Sequence, residues 1–177
     1  ISNSDISYSG DEGIYVYTHY GHTAAPAISG NTIHNNVTDG IYGYYANGSD
    51  GSEKTPSITN NTFKENGISG IARVSGTISG NTFINNPYAI HLNDDIPAIS
   101  GNTFSGPDDS CMVRIGTYPY GTMYPVETFG TGASCYIVDG NDVSISNGTS
   151  LTIKPGVVIK FDKANSTRGF EVEGTLT

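Results

Sequence analysis

The chain has 177 residues, 23 of them Gly and 12 Tyr, with no Trp and only 14% charged side chains. Lys and Arg total 8 against 17 Asp and Glu, a formal net charge of -9 at pH 7, which repels nucleic-acid phosphates and anionic lipid. Scarce Ala, Leu, Glu and Lys exclude helical bundles, and no apolar run reads as a membrane span or opens the sequence as a signal segment.

In chain order, Ile1-Ser-Asn-Ser-Asp-Ile6 is a degenerate first copy of a motif that returns four times. The later copies are Ile28-Ser-Gly-Asn-Thr-Ile33, Ile58-Thr-Asn-Asn-Thr-Phe63, Ile78-Ser-Gly-Asn-Thr-Phe83 and Ile99-Ser-Gly-Asn-Thr-Phe104, at spacings of 27, 30, 20 and 21 residues. A second element follows the first four copies: Gly13-Ile14-Tyr15-Val16, Gly40-Ile41-Tyr42-Gly43, Gly70-Ile71-Ala72-Arg73 and Ala89-Ile90-His91-Leu92. Between the two elements stand Ser9, Asn36, Asn66 and Asn86.

A unit of about 20–30 residues with strands this short cannot bury its own apolar side, so it must stack on its neighbours. Parallel pairing of equivalent strands, about 4.8 Å apart, predicts three apolar columns: Ile28/Ile58/Ile78/Ile99, Ile33/Phe63/Phe83/Phe104 and Ile14/Ile41/Ile71/Ile90. Gly and Asn at the corners suit the left-handed backbone of a sharp turn. Asn31, Asn61, Asn81 and Asn102 are expected to form a hydrogen-bonded ladder up the stack.

The pattern Ile-x-x-Asn-x-Phe-x-x-Asn followed by Gly-Ile resembles the repeats of right-handed parallel β-helix proteins, the pectate-lyase-like superfamily, over residues 1–106. The resemblance implies an all-β solenoid. It does not select a function, because that fold hosts lyases, hydrolases, tailspikes, adhesins and ice-binding proteins.

Residues 107–135 lose the repeat and read as a loop or linker. They hold Cys111 and Cys135, which match no metal-ligand spacing and are expected to pair as a disulfide in an extracellular chain. Residues 136–177 resume an alternating pattern, and Leu151-Thr-Ile-Lys-Pro-Gly-Val-Val-Ile-Lys-Phe161 resembles the opening coils of bacterial and archaeal cell-surface β-helix domains. That order suggests the end of one β-helix followed by the start of the next, with uncapped ends completed by adjacent domains of the same parent or by copies of the chain itself. The alternative is that 136–177 folds back as a cap. Sequons at Asn36, Asn47, Asn60, Asn147 and Asn165 are candidate glycosylation sites.

Alternation turns Tyr15, Tyr17, Tyr42 and Tyr44 outward, with Tyr20 and Tyr45 extending the cluster into two loops that leave the same edge of the stack. Such rings stack on sugars or dock against protein. The resemblance implies calcium and an Arg or Lys base in lyases, or several Asp residues in hydrolases. The residues available for these roles are Asp94, Asp95, Asp108 and Asp109 as calcium ligands, Asp11 and Glu12, and the lone Arg73 and Arg114. His19, His22, His34 and His91 show no ligand spacing, and Thr32, Thr62, Thr82 and Thr103 form an outward row like those of ice-binding β-helices. The expectation is a non-enzymatic extracellular structural module without a cofactor, making lateral contacts through its Tyr flank. A carbohydrate-binding or polysaccharide-degrading β-helix is the alternative, and an ice-binding protein the third.

Overall fold

A computed structural model describes residues 1–18, 22–44, 53–92, 96–106, 111–116, 119, 121–123, 133–138, 142–161 and 169–177. Every element among them is a short strand. The first coils contain β1 (Asp5–Ser7), β2 (Ile14–Tyr17), β3 (Thr23–Ala24), β4 (Ala27–Ser29), β5 (Thr32–His34), β6 (Asp39–Tyr44) and β7 (Glu53–Lys54). The middle coils contain β8 (Ser57–Thr59), β9 (Thr62–Lys64), β10 (Ser69–Ala72), β11 (Thr77–Ser79), β12 (Thr82–Ile84), β13 (Tyr88–His91), β14 (Ala98–Ser100), β15 (Thr103–Ser105) and β16 (Cys111–Arg114). The last contain β17 (Gly121–Met123), β18 (Ala133–Val138), β19 (Val143–Ile145), β20 (Ser150–Ile153), β21 (Ile159–Phe161), β22 (Phe170–Val172) and β23 (Thr175–Leu176).

Equivalent strands pair in parallel from coil to coil, in coils of roughly 23 residues. Three sheets run along the stack, β4-β8-β11-β14, β1-β5-β9-β12-β15 and the seven-stranded β2-β6-β10-β13-β16-β18-β21. The apolar columns take the expected register. Ile28, Ile58, Ile78 and Ile99 are successive partners, and Ile6 extends the column of Ile33, Phe63, Phe83 and Phe104. Phe63, Phe83 and Phe104 stack at centroid separations of 5.0 and 5.3 Å, within the range of offset aromatic contact. The third column does not stop at Ile14, Ile41, Ile71 and Ile90 but passes on to Val113, Tyr136 and Ile159.

Residues 107–135, read from the sequence as loop or linker, therefore contribute strands to the stack. β16 sits between β13 and β18 in the unbroken seven-stranded sheet, and β17 pairs with β20. The repeat becomes invisible here because the column accepts any apolar side chain of suitable bulk, and Tyr136 fills it at 1% exposure. Burial pushes its phenol pKa up to about 12. The strands of 136–177 continue the same sheet through β18 and β21 and add the stacks β19-β22 and β17-β20-β23.

The corners follow backbone sterics. Asn3, Gly30, Asn60, Gly80 and Gly101 all have φ between 50° and 66°, in the left-handed region that Gly and Asn tolerate. A second left-handed corner, at Tyr8, Asn35, Glu65 and Asn85, carries no Gly and so leaves no such mark in the sequence. The Gly of the Gly-Ile element has another cause. A Cβ on Gly40 would lie 2.6 Å from the Gly70 carbonyl oxygen and 2.9 Å from Phe63 Cδ1. That glycine makes room for the next coil and the Phe stack.

Candidate functional site

The interior is sealed by two side-chain ladders. In the first, Asn31 Nδ2 donates to Asn61 Oδ1 at 2.9 Å, and the same contact links Asn61 to Asn81 and Asn81 to Asn102 at 3.0 Å. The second runs through Asn36, Asn66 and Asn86, whose Nδ2–Oδ1 contacts are 2.9 and 3.0 Å, with the Ser9 backbone N–H donating to Asn36 Oδ1. These buried carboxamides are satisfied, as buried polar groups must be. The second ladder corrects the reading of Asn36 as a glycosylation site. Its side chain is buried at 2% exposure and its Nδ2 is committed to Asn66, so the atom that would carry a glycan faces the stack interior. Asn147 and Asn60 are exposed, whereas Asn47 and Asn165 lie outside the described residues.

The outward face of the seven-stranded sheet carries the distinctive surface. Register places Tyr15 beside Tyr42 and Tyr17 beside Tyr44. The four rings form a shingled quartet. Tyr15 lies 6.3 Å from Tyr17, 6.0 Å from Tyr42 and 5.8 Å from Tyr44, and Tyr17 lies 5.8 Å from Tyr44. Tyr15 and Tyr17 are each 49% exposed and Tyr44 is 43% exposed. Desolvation raises the Tyr15 phenol pKa, helped by Tyr44, Glu12, Tyr42 and Tyr17. Tyr20 and Tyr45, expected to extend the cluster, lie outside the described residues.

Arg73 borders the quartet. Its Nη1 donates to the Tyr42 hydroxyl at 2.8 Å, and its guanidinium carbon stands 5.8 Å from that ring's centroid, a cation–π distance. The row through Tyr15 and Tyr42 then passes Ala72, His91 and Arg114, and Arg114 lies over the Tyr88 ring at 5.5 Å. In sequence Arg73 looks isolated. The stack brings it to Tyr42 because a residue one coil away is a spatial neighbour.

The structure also brings together groups that the sequence reading passed over. Asp39 is buried at 5% exposure and accepts a short hydrogen bond from Ser69 Oγ of the next coil. Burial raises its carboxyl pKa, opposed by the Ser69 hydrogen bonds and assisted by Glu12 and Asp11. The signal was present in register, since Asp39 and Ser69 each stand two residues before a core Ile. On another face, His34 Nε2 lies 3.0 Å from Asp5 Oδ1 and Nδ1 lies 2.6 Å from Asn35 Oδ1. Both ring nitrogens are thus engaged. His22 is exposed, and His19 lies outside the described residues.

The proposed calcium ligands Asp94, Asp95, Asp108 and Asp109 also lie outside the described residues. Among the described residues, no group of three or more His, Cys, Asp or Glu side chains gathers as a metal-ligand set. Thr32, Thr62, Thr82 and Thr103 do form one outward row, continued by Asp5. Cys111 opens β16 and Cys135 lies in the adjacent β18, where Cys111 pairs in register with Ala133; the Cys111 side chain lies outside the described set.

Residues 1–86 match the family model described as "Right handed beta helix region". No curated protein and no solved structure matches the chain. The family match over residues 1–86 and the parallel coils stacked in register show a right-handed parallel β-helix repeat fold.

Proposed function

We propose that this chain is a non-enzymatic extracellular surface module, a stiff β-helical rod that makes lateral contacts with further copies of itself through its Tyr face. The observation that carries this reading is the quartet of Tyr15, Tyr17, Tyr42 and Tyr44. Three of its members leave 43–49% of their surface in water while packed on a rigid sheet. Tyr rings, with an apolar body and a wet hydroxyl, have only two side-chain torsions to order and so lose little entropy on docking. Net charge of -9 opposes association between copies, so an uncharged aromatic strip is the place where two rods meet at least electrostatic cost. Cys111 and Cys135 are proposed to form a disulfide across neighbouring strands, which thiol titration of denatured protein with and without reductant checks. Asn147, exposed in a turn, is the proposed glycan acceptor.

The test is sedimentation velocity over a concentration series, comparing the parent with the double variant Tyr15→Ser/Tyr44→Ser. Concentration-dependent association in the parent and its loss in the variant support lateral contact. A parent that stays monomeric throughout, or a variant that associates equally well, sinks it.

A second reading has its own observation. Arg73 beside Tyr42 joins a cation to an aromatic surface, a pairing suited to an acidic sugar ring. Affinity electrophoresis through polygalacturonate, against a neutral glucan, separates the two. Retardation that requires Arg73 and the Tyr quartet would make the chain a carbohydrate binder, and release of unsaturated product would make it a lyase.

A further inference from the structure

Tyr44 lies 5.8 Å, centroid to centroid, from both Tyr15 and Tyr17 of the preceding coil, with interplanar angles of 31° and 21°. The three rings are 43–49% exposed. Oxidative coupling of phenols has two geometric demands. A one-electron oxidant must reach each hydroxyl, and the resulting radicals must meet at ring carbons next to the oxygen-bearing carbon. The interior Phe63–Phe83–Phe104 stack has contact without phenols. Tyr8 is a well-exposed phenol at 77%, but the ring beside it is His34. Among the described tyrosines, exposure and phenol–phenol contact between coils coincide at the quartet.

We propose that Tyr44 is a dityrosine cross-linking site, joined to Tyr15 or Tyr17 of the preceding coil by a peroxidase-type oxidant using hydrogen peroxide. Each phenol gives up one electron and one proton, and the peroxide is reduced to two waters. The two phenoxyl radicals then form a carbon–carbon bond between their ortho positions. Each ring regains aromaticity when its displaced ortho hydrogen moves to the oxygen, so the product keeps both hydroxyls and has lost two hydrogens in all. Half-exposed side chains turn about their two torsions, which lets the shingled rings swing into the edge-to-edge geometry of the product. Tyr42 is less available, because it is more buried and its hydroxyl is held by Arg73. The link would fasten the first two coils together at their outer face, where Ile14 and Ile41 already meet beneath. This proposal stands apart from the lateral-contact reading, since both partners belong to one chain.

The experiment treats dilute intact chain with a haem peroxidase and hydrogen peroxide. Expected are blue dityrosine fluorescence in the monomer fraction, loss of the mass of two hydrogens, and cross-linked peptides joining Ile14–Tyr17 to Ile41–Tyr44. Tyr44→Phe keeps the ring contact and removes the phenol, so it should lower intrachain dityrosine several-fold at an unchanged melting temperature. Tyr8→Phe should leave the yield unaltered. Equal yield in Tyr44→Phe, peptides mapping to other tyrosines, or dityrosine confined to covalent dimers would overturn the assignment.

Discussion

Asn61 meets Asn81 through two hydrogen bonds to one oxygen. The Asn61 backbone N–H donates to Asn81 Oδ1 at 2.9 Å, and Asn61 Nδ2 donates to the same atom at 3.0 Å. Asn61 Oδ1 in turn accepts from the backbone N–H and Nδ2 of Asn31, and Asn61 Nδ2 also reaches the Ile28 carbonyl at 2.9 Å. Each rung therefore closes donors and acceptors of two coils at once, all within the buried interior.

Removing one rung should be costly. Asn61→Ala removes the acceptor of the Asn31 backbone N–H and the Nδ2 donor to the Ile28 carbonyl, while Asn31 Nδ2 keeps the Ile1 carbonyl at 3.2 Å. Each group left unsatisfied costs about 1–3 kcal/mol. The expected total loss is roughly 3 kcal/mol or more, read from urea unfolding with the slope held common. A loss below about 1 kcal/mol would mean that water enters the ladder and satisfies the stranded groups.

Coil-to-coil clearance makes Gly40 costly to replace, although the fourth copy of the element carries Ala89 at the equivalent place. Gly40→Ala places a Cβ against the Gly70 carbonyl and the Phe63 ring, and overpacking of this kind costs about 1–3 kcal/mol. Gly10→Ala meets nothing within 4 Å and should stay within about 0.5 kcal/mol of the parent. Thermal melts of the two variants side by side provide the check.

The second corner contains avoidable strain. Glu65 holds φ at 54°, a left-handed conformation that costs roughly 1–2 kcal/mol for most residues and less for Asn. The equivalent corners of neighbouring coils are Asn35 and Asn85. Glu65→Asn gives up an exposed contact to Lys64 at 3.7 Å and a long, exposed hydrogen bond from Asn35 Nδ2 at 3.4 Å, both worth little in water. The variant should gain a few tenths to about 1 kcal/mol, seen as a higher denaturant midpoint.

Asp39 introduces a pH dependence whose sign is fixed by its surroundings. Burial raises its pKa in the folded state above the ordinary value of 3.8. A carboxyl that binds its proton more tightly when folded contributes stability that is fully present below the unfolded pKa. That contribution is lost as pH rises through the folded pKa. Asp39→Asn removes the titration while still offering Ser69 Oγ an acceptor. Its stability relative to the parent should therefore rise from acid toward neutral pH, measured as urea midpoints between about pH 3 and pH 8. A constant difference across that interval would show that Asp39 ionises alike in both states.

The coil period and the apolar columns could be read directly from the chain. In a stack of parallel coils a separation in sequence becomes a neighbour in space. Ile28, Ile58, Ile78 and Ile99, or Asn31, Asn61, Asn81 and Asn102, are thus aligned as soon as the repeat is aligned. The outward direction of Tyr15 and Tyr17 followed from the two-residue alternation of a strand. Other features depended on the three-dimensional stack. Val113 and Tyr136 continue the column of Ile90 although no repeat marks them, because packing selects bulk and apolarity rather than identity. Asn36 carries a sequon and yet serves as a ladder rung, because the burial of a carboxamide depends on what stacks against it. Arg73 meets Tyr42, and Ser69 meets Asp39, through side-chain reach across one coil. Asp39 and Ser69 share a register position, but the Arg73 contact steps one residue off register and leaves no periodic trace in the order of residues.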